Sequence, residues 1–383
     1  MNNSSVVVPS SSGGKPTESL PLNVSIQIIQ AVLSTLVMIC SLFGNVLVIC
    51  VVMQSLRMRT VTNFLIVNMA CADILYTLVS FPPLFVMIFD EYDWAMSRRG
   101  LGIFFCQVVN FGQYMLVPVS VLTLAAIAFD RFFAILMPLR RIINKRVFRC
   151  IVIFIWVTSA AVAAPLLYAL QVTIDSNGGL TCNEKWAPLF DENTAHRDYA
   201  LVLFFIMFCL PISVMIALYS VICRHLWSIK PPGEMEQEES KNLIKRRNSR
   251  RSVVKMLITV VAVFIISWLP LQIANLIFFF QEVNISESLH FACEIFMRAS
   301  CAFNPLVYAV FSENYRQGFK KVFARCCCSK IKAFVPQRAF STSSSRQQTA
   351  PSLLRSDYAL SRREGGKKSC REVKEEDQEE HQI

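Results

Sequence analysis

The sequence predicts an all-α membrane protein, a bundle of seven transmembrane helices followed by a short amphipathic eighth. Two observations carry this. The 383 residues are 54% hydrophobic and only 17% charged, against about 25% charged in an average soluble domain. The apolar residues are also bunched. Ile26–Val52, Cys150–Leu170, Leu201–Cys223 and Met256–Phe280 are long and nearly uncharged, as a helix crossing about 30 Å of hydrocarbon must be. None of these runs alternates with the period of two of a membrane strand.

In order, the spans are expected near Ile26–Met53, Thr62–Phe89, Ile103–Met137, Val147–Leu170, Tyr199–Trp227, Val253–Phe280 and Leu289–Phe311. The organisation is then a tail over 1–25, the bundle over 26–311, an amphipathic and lipidated segment over 312–328 and a disordered tail over 329–383. The first 22 residues are polar and lack the pattern of a cleaved signal peptide, so the first span is expected to serve as an uncleaved start signal. Asn2, Asn3, Asn23 and Asn284 each begin an Asn-x-Ser sequon, all on one side of the spans.

The net charge of +11 is uneven. Loops after spans one, three and five carry Arg57 and Arg59, then Arg140, Arg141, Lys145 and Arg146, then Lys241, Lys245, Arg246, Arg247, Arg250 and Arg251. The opposite loops are richer in acids, among them Asp90, Glu91, Asp93, Glu184, Asp191 and Glu192. The positive-inside bias therefore places the amino terminus outside and the carboxyl terminus in the cytosol. Bases that flank hydrocarbon spans read as contacts for membrane lipids and a cytosolic partner, not for nucleic acid.

Most of the 14 cysteines lie within spans. Cys106 and Cys182 fall at the oxidising outer edge and are expected to pair. Cys326, Cys327 and Cys328 follow the last span beside Lys320, Lys321 and Arg325, where thiols are either palmitoylated or left free. Segment Pro231–Glu239 reads as a flexible linker, and Ser341–Ser345 as a cluster for kinases.

A charge at mid-bilayer costs at least ~3 kcal/mol, so polar residues inside spans invite a functional reading. Asp73 is the deepest, with no base in its own helix. Asn45, Ser120, Ser300 and Asn304 lie at similar depth. Together they suit a small hard cation, with sodium the expected occupant, or else a polar network that only packs helices. Asp130 and Arg131 close the third span, 25 residues or about 37 Å from Cys106. Pro211, Pro270 and Pro305 fall inside spans five, six and seven, where they kink helices and supply hinges.

These residues resemble one family, the rhodopsin-like (class A) G-protein-coupled receptors. The resemblance rests on Gly44-Asn45-x-x-Val48, Ala72-Asp73, Asp130-Arg131-Phe132, Trp156, Pro211 with Tyr219, Phe264-x-x-Ser267-Trp268-x-Pro270 and Asn304-Pro305-x-x-Tyr308, all in order. It implies a sodium pocket at Asp73, Ser120, Ser300 and Asn304. It also implies that Arg131 meets the G protein when span six swings out. Trp268, Phe264, Val121 and Pro211 would relay the ligand's contact, and Tyr219 and Tyr308 would hold the open state. Ser312–Lys321 would form the short eighth helix. Arrestin and receptor kinases are further implied partners. Two departures bear on mechanism. Arg250 stands where the family often has an acid to hold Arg131, which leaves Asp130 as its partner and predicts a leaky resting state. Pro118 within span three is unusual and is expected to reshape the pocket wall.

Gln113 stands where amine receptors of this family carry an aspartate, which argues against an amine. No lysine lies in span seven, which excludes retinal attachment. Gln113, Pro82-Pro83 and the acidic outer loops resemble peptide receptors. The expected ligand is a short neuropeptide, amidated and with a basic residue near its carboxyl end, contacting Gln113, Tyr114, Gln272, Asn275, Glu294 and Arg298. Glu294 and Arg298 are four apart on one helical face. They either meet a ligand's basic and acidic groups or neutralise each other. A class A receptor for an amine or lipid is the alternative. A transporter or channel would show paired repeats or a charged pore ring, and neither is present. With four histidines and no nucleophile–base set, no enzyme is expected.

Overall fold

A computed structural model describes residues 20–89, 99–138, 143–174, 180–192, 194–228, 237–281 and 286–333. Helix α1 spans Leu20–Gln54 and α2 spans Val61–Ile88. Helix α3 is continuous over Arg99–Ile103, a π-helical turn at Phe104–Val109 and Asn110–Leu136. Helix α4 is Lys145–Ala163, extended by a turn at Pro165–Ala169. Helix α5 runs through Ala195–Leu203, a second π-helical turn at Phe204–Cys209 and Leu210–Ser228. Helices α6, α7 and α8 are Gln237–Gln281, Glu287–Phe311 and Glu313–Ala333.

Six helices among the described residues are long and apolar enough to cross a membrane. The seventh is α7, which carries Glu294 and Arg298. It qualifies together with α8, from which it is bent by 104°. The bend sits at Ser312, whose backbone is extended. Helix starts use local chemistry: the Asn144 side-chain Oδ1 accepts from the backbone N–H groups of Arg146 and Val147 at 2.9 and 3.0 Å.

Apolar surface on the outside marks the lipid-facing side. Phe154 is 66% exposed and Ile153, Val157 and Val310 are similarly bare, which a soluble chain would not tolerate in such density. Without water to drive them together, spans associate through close packing and hydrogen bonds. Gly44 of α1 faces Pro305 of α7 so closely that a Cβ there would lie 2.8 Å from the proline ring. The Trp156 indole of α4 donates to Asn68 Oδ1 of α2 at 3.0 Å, and Asn68 donates to Thr123 of α3 at 2.9 Å. One buried core joins Val48, Leu65, Ile127, Met215, Ile222 and Leu257 from five spans.

Several boundaries differ from expectation. Helix α1 already starts at Leu20, inside the expected tail. Helix α6 starts at Gln237, so the end of the expected linker and the basic segment after it are helical. Helix α8 runs to Ala333 rather than stopping near Lys321. Strands β1 (Leu170–Ile174) and β2 (Leu180–Glu184) form an antiparallel hairpin after α4, with Val172 opposite Cys182. Helix α3 passes through Pro118 without interruption.

Candidate functional site

At one end of the bundle the hairpin is strapped to α3. The Cys106–Cys182 disulfide forms, with the Cα atoms 5.5 Å apart. Gln107 Nε2 donates to the Leu170 carbonyl at 2.9 Å. The chain after β2 is held by carboxylates. Glu184 accepts from the Trp186 indole at 2.6 Å and pairs with His196 at 2.6 Å. Glu192 accepts from the backbone N–H groups of Trp186 and Ala187, both at 2.8 Å. Trp186 packs against Phe190 and Tyr199. These acids therefore organise the loop, a role that their residue type alone does not reveal.

Of the expected ligand contacts, Gln113, Gln272 and Asn275 are half-buried and Tyr114 is exposed. Glu294 and Arg298 form an ion pair at 2.8 Å, with His290 3.8 Å from the other Glu294 oxygen. Arg298 is only 7% exposed. Of the two readings for this pair, mutual neutralisation is the one the geometry adopts. Arg298 is thus buried and spent on Glu294, whereas the Glu294 side chain keeps 21% exposure.

Midway along the bundle, Asp73 is 2% exposed and has no basic partner among the described residues. Its two oxygens accept from Ser120 Oγ at 3.1 Å and Asn304 Nδ2 at 2.8 Å. They border a cavity of about 20 Å³ that Ser300, Phe264 and Trp268 also line, room for one water-sized occupant. A carboxylate facing two hydroxyls and an amide is a donor set suited to a small hard cation. Asn45 does not join it. Its amide donates instead to the carbonyls of Ser41 at 2.9 Å and Cys301 at 3.0 Å. The reason is Pro305: lacking an N–H, it leaves the Cys301 carbonyl four residues earlier without its helical donor, and Asn45 fills the gap.

From that cavity an aromatic column crosses to α5. Trp268 stacks on Phe264 at 5.4 Å, Phe264 meets Phe208 at 6.2 Å and Phe208 stacks on Phe204 at 5.6 Å. Phe204 and Phe208 sit in the π-helical turn that ends just before Pro211, whose missing N–H relaxes the helix there. Val121 is buried in the same core as Phe208 and Phe264, and Pro211 is buried just after that turn.

At the opposite end, Arg131 donates to Asp130 Oδ2 at 2.6 Å and also to Thr62 Oγ1 of α2. The Thr62 hydroxyl donates in turn to Asp130. No acid of α6 meets Arg131 among the described residues. Helix α6 is held differently: Ser252 donates to the Phe311 carbonyl of α7 at 2.8 Å, and Arg251 Nη2 to the Leu226 carbonyl of α5 at 2.7 Å. Tyr219 and Tyr308 are both buried. Tyr308 stacks on Tyr315 of α8 at 5.2 Å, and Tyr315 donates to Asn63 of α2 at 3.3 Å.

Deep polar residues, proline-relieved helices and two differently tethered ends make up the arrangement. The family described as "7 transmembrane receptor (rhodopsin family)" matches residues 44–308. The chain belongs to the rhodopsin family of seven-transmembrane receptors. It is similar to the RYamide receptor of Drosophila melanogaster, 32% identical over 307 residues, covering 77% of this chain and 64% of the relative. It is also 32% identical to neuropeptide receptor 22 of Caenorhabditis elegans, over 73% of this chain and 66% of the relative. Against the substance-P receptor of Aquarana catesbeiana it is 30% identical, covering 76% and 69%. The chain thus spans slightly less than two thirds of the first two relatives. The family is one of receptors, and this receptor is a multi-pass membrane protein.

Other expectations lie outside the described residues. Asn2, Asn3 and Asn284 do, as do the side chains of Asn23, Cys326, Cys327 and Cys328. Sequence reasoning missed Thr62, Glu184, His196, Phe204, Phe208 and the Ser252 tether. For Phe208 a signal existed, since it stands three residues before the proline of span five. For Thr62 none did, because an N-terminal helix threonine usually only caps.

Proposed function

We propose that this receptor binds a short neuropeptide at its disulfide end and activates heterotrimeric G proteins at its Asp130–Arg131 end. The amino terminus and the hairpin lie outside the cell, and the carboxyl terminus lies in the cytosol, as the loop charges favour. The observation that carries the peptide reading is Glu294. Its side chain stays 21% exposed, one turn from the buried arginine it neutralises, and acidic mouths attract cationic peptides. Relatives named for RYamide and substance P support the same class of ligand.

In this mechanism the peptide's basic residue meets Glu294 while its backbone is read by Gln113, Gln272 and Asn275, beside Tyr114. Pressure on Trp268 passes through Phe264 and Phe208 to α5. Because Pro270 has already removed one backbone bond from α6, the half of that helix beyond it swings at low cost. Arg131 then leaves Asp130 and Thr62 for the G protein, and Tyr219 and Tyr308 secure the opening. Asp73, Ser120, Ser300 and Asn304 would hold a sodium ion, whose charge offsets the buried carboxylate. Arrestin and receptor kinases act on the tail, membrane lipids receive palmitoylated Cys326, Cys327 and Cys328, and Asn2, Asn3, Asn23 and Asn284 accept glycans.

A peptide library screened on cells that express the chain, with calcium and cyclic-nucleotide readouts, tests this. A response to short basic, amidated peptides is expected. A response to an amine or lipid alone overturns the peptide assignment.

A further inference from the structure

A cavity of about 270 Å³ opens between the ends of α5 and α6, lined by Trp227, Asn248, Arg251, Ser252 and Lys255. The four α6 residues recur at three- and four-residue steps and so share one face of the helix. Arg251 is the centre of it. Its guanidinium lies over the Trp227 ring, 5.0 Å from the centroid, while one Nη2 bond to the Leu226 carbonyl fixes its direction. Its Nε is buried and meets no acceptor among the described residues. Neither Arg251 nor Lys255 is paired with a carboxylate among the described residues. The Arg251 guanidinium, the Lys255 ammonium and the Asn248 amide converge here, and no carboxylate among the described residues neutralises them.

The depth of the cavity says where the anion comes from. By sequence, the uncharged run of α5 ends at Cys223, before Arg224, and that of α6 begins at Met256, after Lys255. Trp227 therefore lies one turn past its run, and the α6 residues lie in the two turns before theirs. That is headgroup depth, where indole rings settle and basic side chains reach for lipid phosphate. Trp227, 48% exposed, presents the surface against which such a headgroup would rest.

We propose that this cleft is a binding site for the phosphate of an anionic lipid headgroup. The donors are the Arg251 guanidinium, the Lys255 ammonium and the Asn248 amide, and the Trp227 ring holds Arg251 in register. Ser252 is committed to Phe311 of α7 and closes the floor. With the headgroup seated, Arg251 ties α6 to α5 just as Ser252 ties it to α7. The effect of that clamp on the α6 swing rests on the function proposed above; the binding site itself does not.

The test uses the full chain in phosphatidylcholine nanodiscs, titrated with a fluorescent phosphatidic acid. Arg251→Gln and Lys255→Gln are each expected to weaken binding about tenfold, as for a lost charge-assisted hydrogen bond. Arg250→Gln, which removes an exposed neighbouring charge outside the cavity, should have a clearly smaller effect. Equal weakening by all three variants would mean a diffuse basic surface and overturn the site. So would failure of phosphatidic acid to bind better than phosphatidylcholine. Inorganic phosphate binding as tightly as the lipid, read by ³¹P line broadening, would make the occupant a free phosphate and overturn the lipid assignment. A weakened hold on a G-protein tail peptide with lipid binding intact would hand the cleft to a protein. Lys255 is exposed, so its variant keeps the test valid if Arg251→Gln fails to fold, which thermal unfolding of each variant shows.

Discussion

Asn45 of α1 donates its side-chain amide to the Cys301 carbonyl of α7 at 3.0 Å, the acceptor that Pro305 leaves without an intrahelical donor. One residue earlier, Gly44 allows the Pro305 ring to approach α1. The hinge in α7 is thus supported from outside its own helix. Asn45→Ala is expected to cost about 0.5–2 kcal/mol, the range for polar contacts between spans. Gly44→Ala should also destabilise, by pushing α1 off the proline ring. Thermal unfolding of the purified chain reads both; unchanged midpoints would mean that α1 does not brace α7.

Arg131 is restrained by Asp130 and Thr62 rather than by α6. Thr62→Val removes the hydroxyl that bridges the two, and ligand-free second-messenger signalling is expected to rise above a wild-type level that is itself measurable. Basal output identical to wild type would show that this bridge does not hold the resting state.

Glu294 neutralises a buried arginine, so Glu294→Gln confounds binding with folding. Removing one partner of a buried pair costs about 3–5 kcal/mol. The double variant Glu294→Gln/Arg298→Gln should be more stable than Glu294→Gln alone. If Glu294 also meets the ligand's base, the double variant recovers stability but not peptide potency. Recovery of both would confine Glu294 to the ion pair.

The hairpin's strap is one unit. Cys106→Ala and Cys182→Ala should lower peptide affinity by the same factor, with no further loss when combined, because each alone removes the whole link. Additive losses, measured by radioligand binding, would show that the thiols act separately.

The spans were legible because uncharged runs of helical length admit little else, and the Glu294–Arg298 pair because a spacing of four fixes its geometry. Helix ends were not. Gln237–Arg251 is polar and basic, so it lacks the apolar signal that announces a span, yet it continues α6 as helix. The hairpin was hidden in the end of the fourth apolar run, since Leu170–Ile174 is too short to register separately. Asn45 was placed at the right depth but against the wrong partner. Its bond depends on a carbonyl freed 256 residues away, which no local pattern encodes. Glu184 and Glu192 read as open charges because their partners, an indole and backbone N–H groups, are common and unmarked.

The swing of α6 is read most directly as a distance. Nitroxide labels at Arg57, beyond α1, and Arg250, on the outer turns of α6, are both exposed and sit at the Arg131 end. Pulsed electron resonance on the chain, with other reactive thiols replaced, reads their separation with and without the peptide found by screening. The peptide is expected to lengthen this distance, and Trp268→Ala to blunt the change. A separation that stays the same while the peptide is bound would contradict the swing.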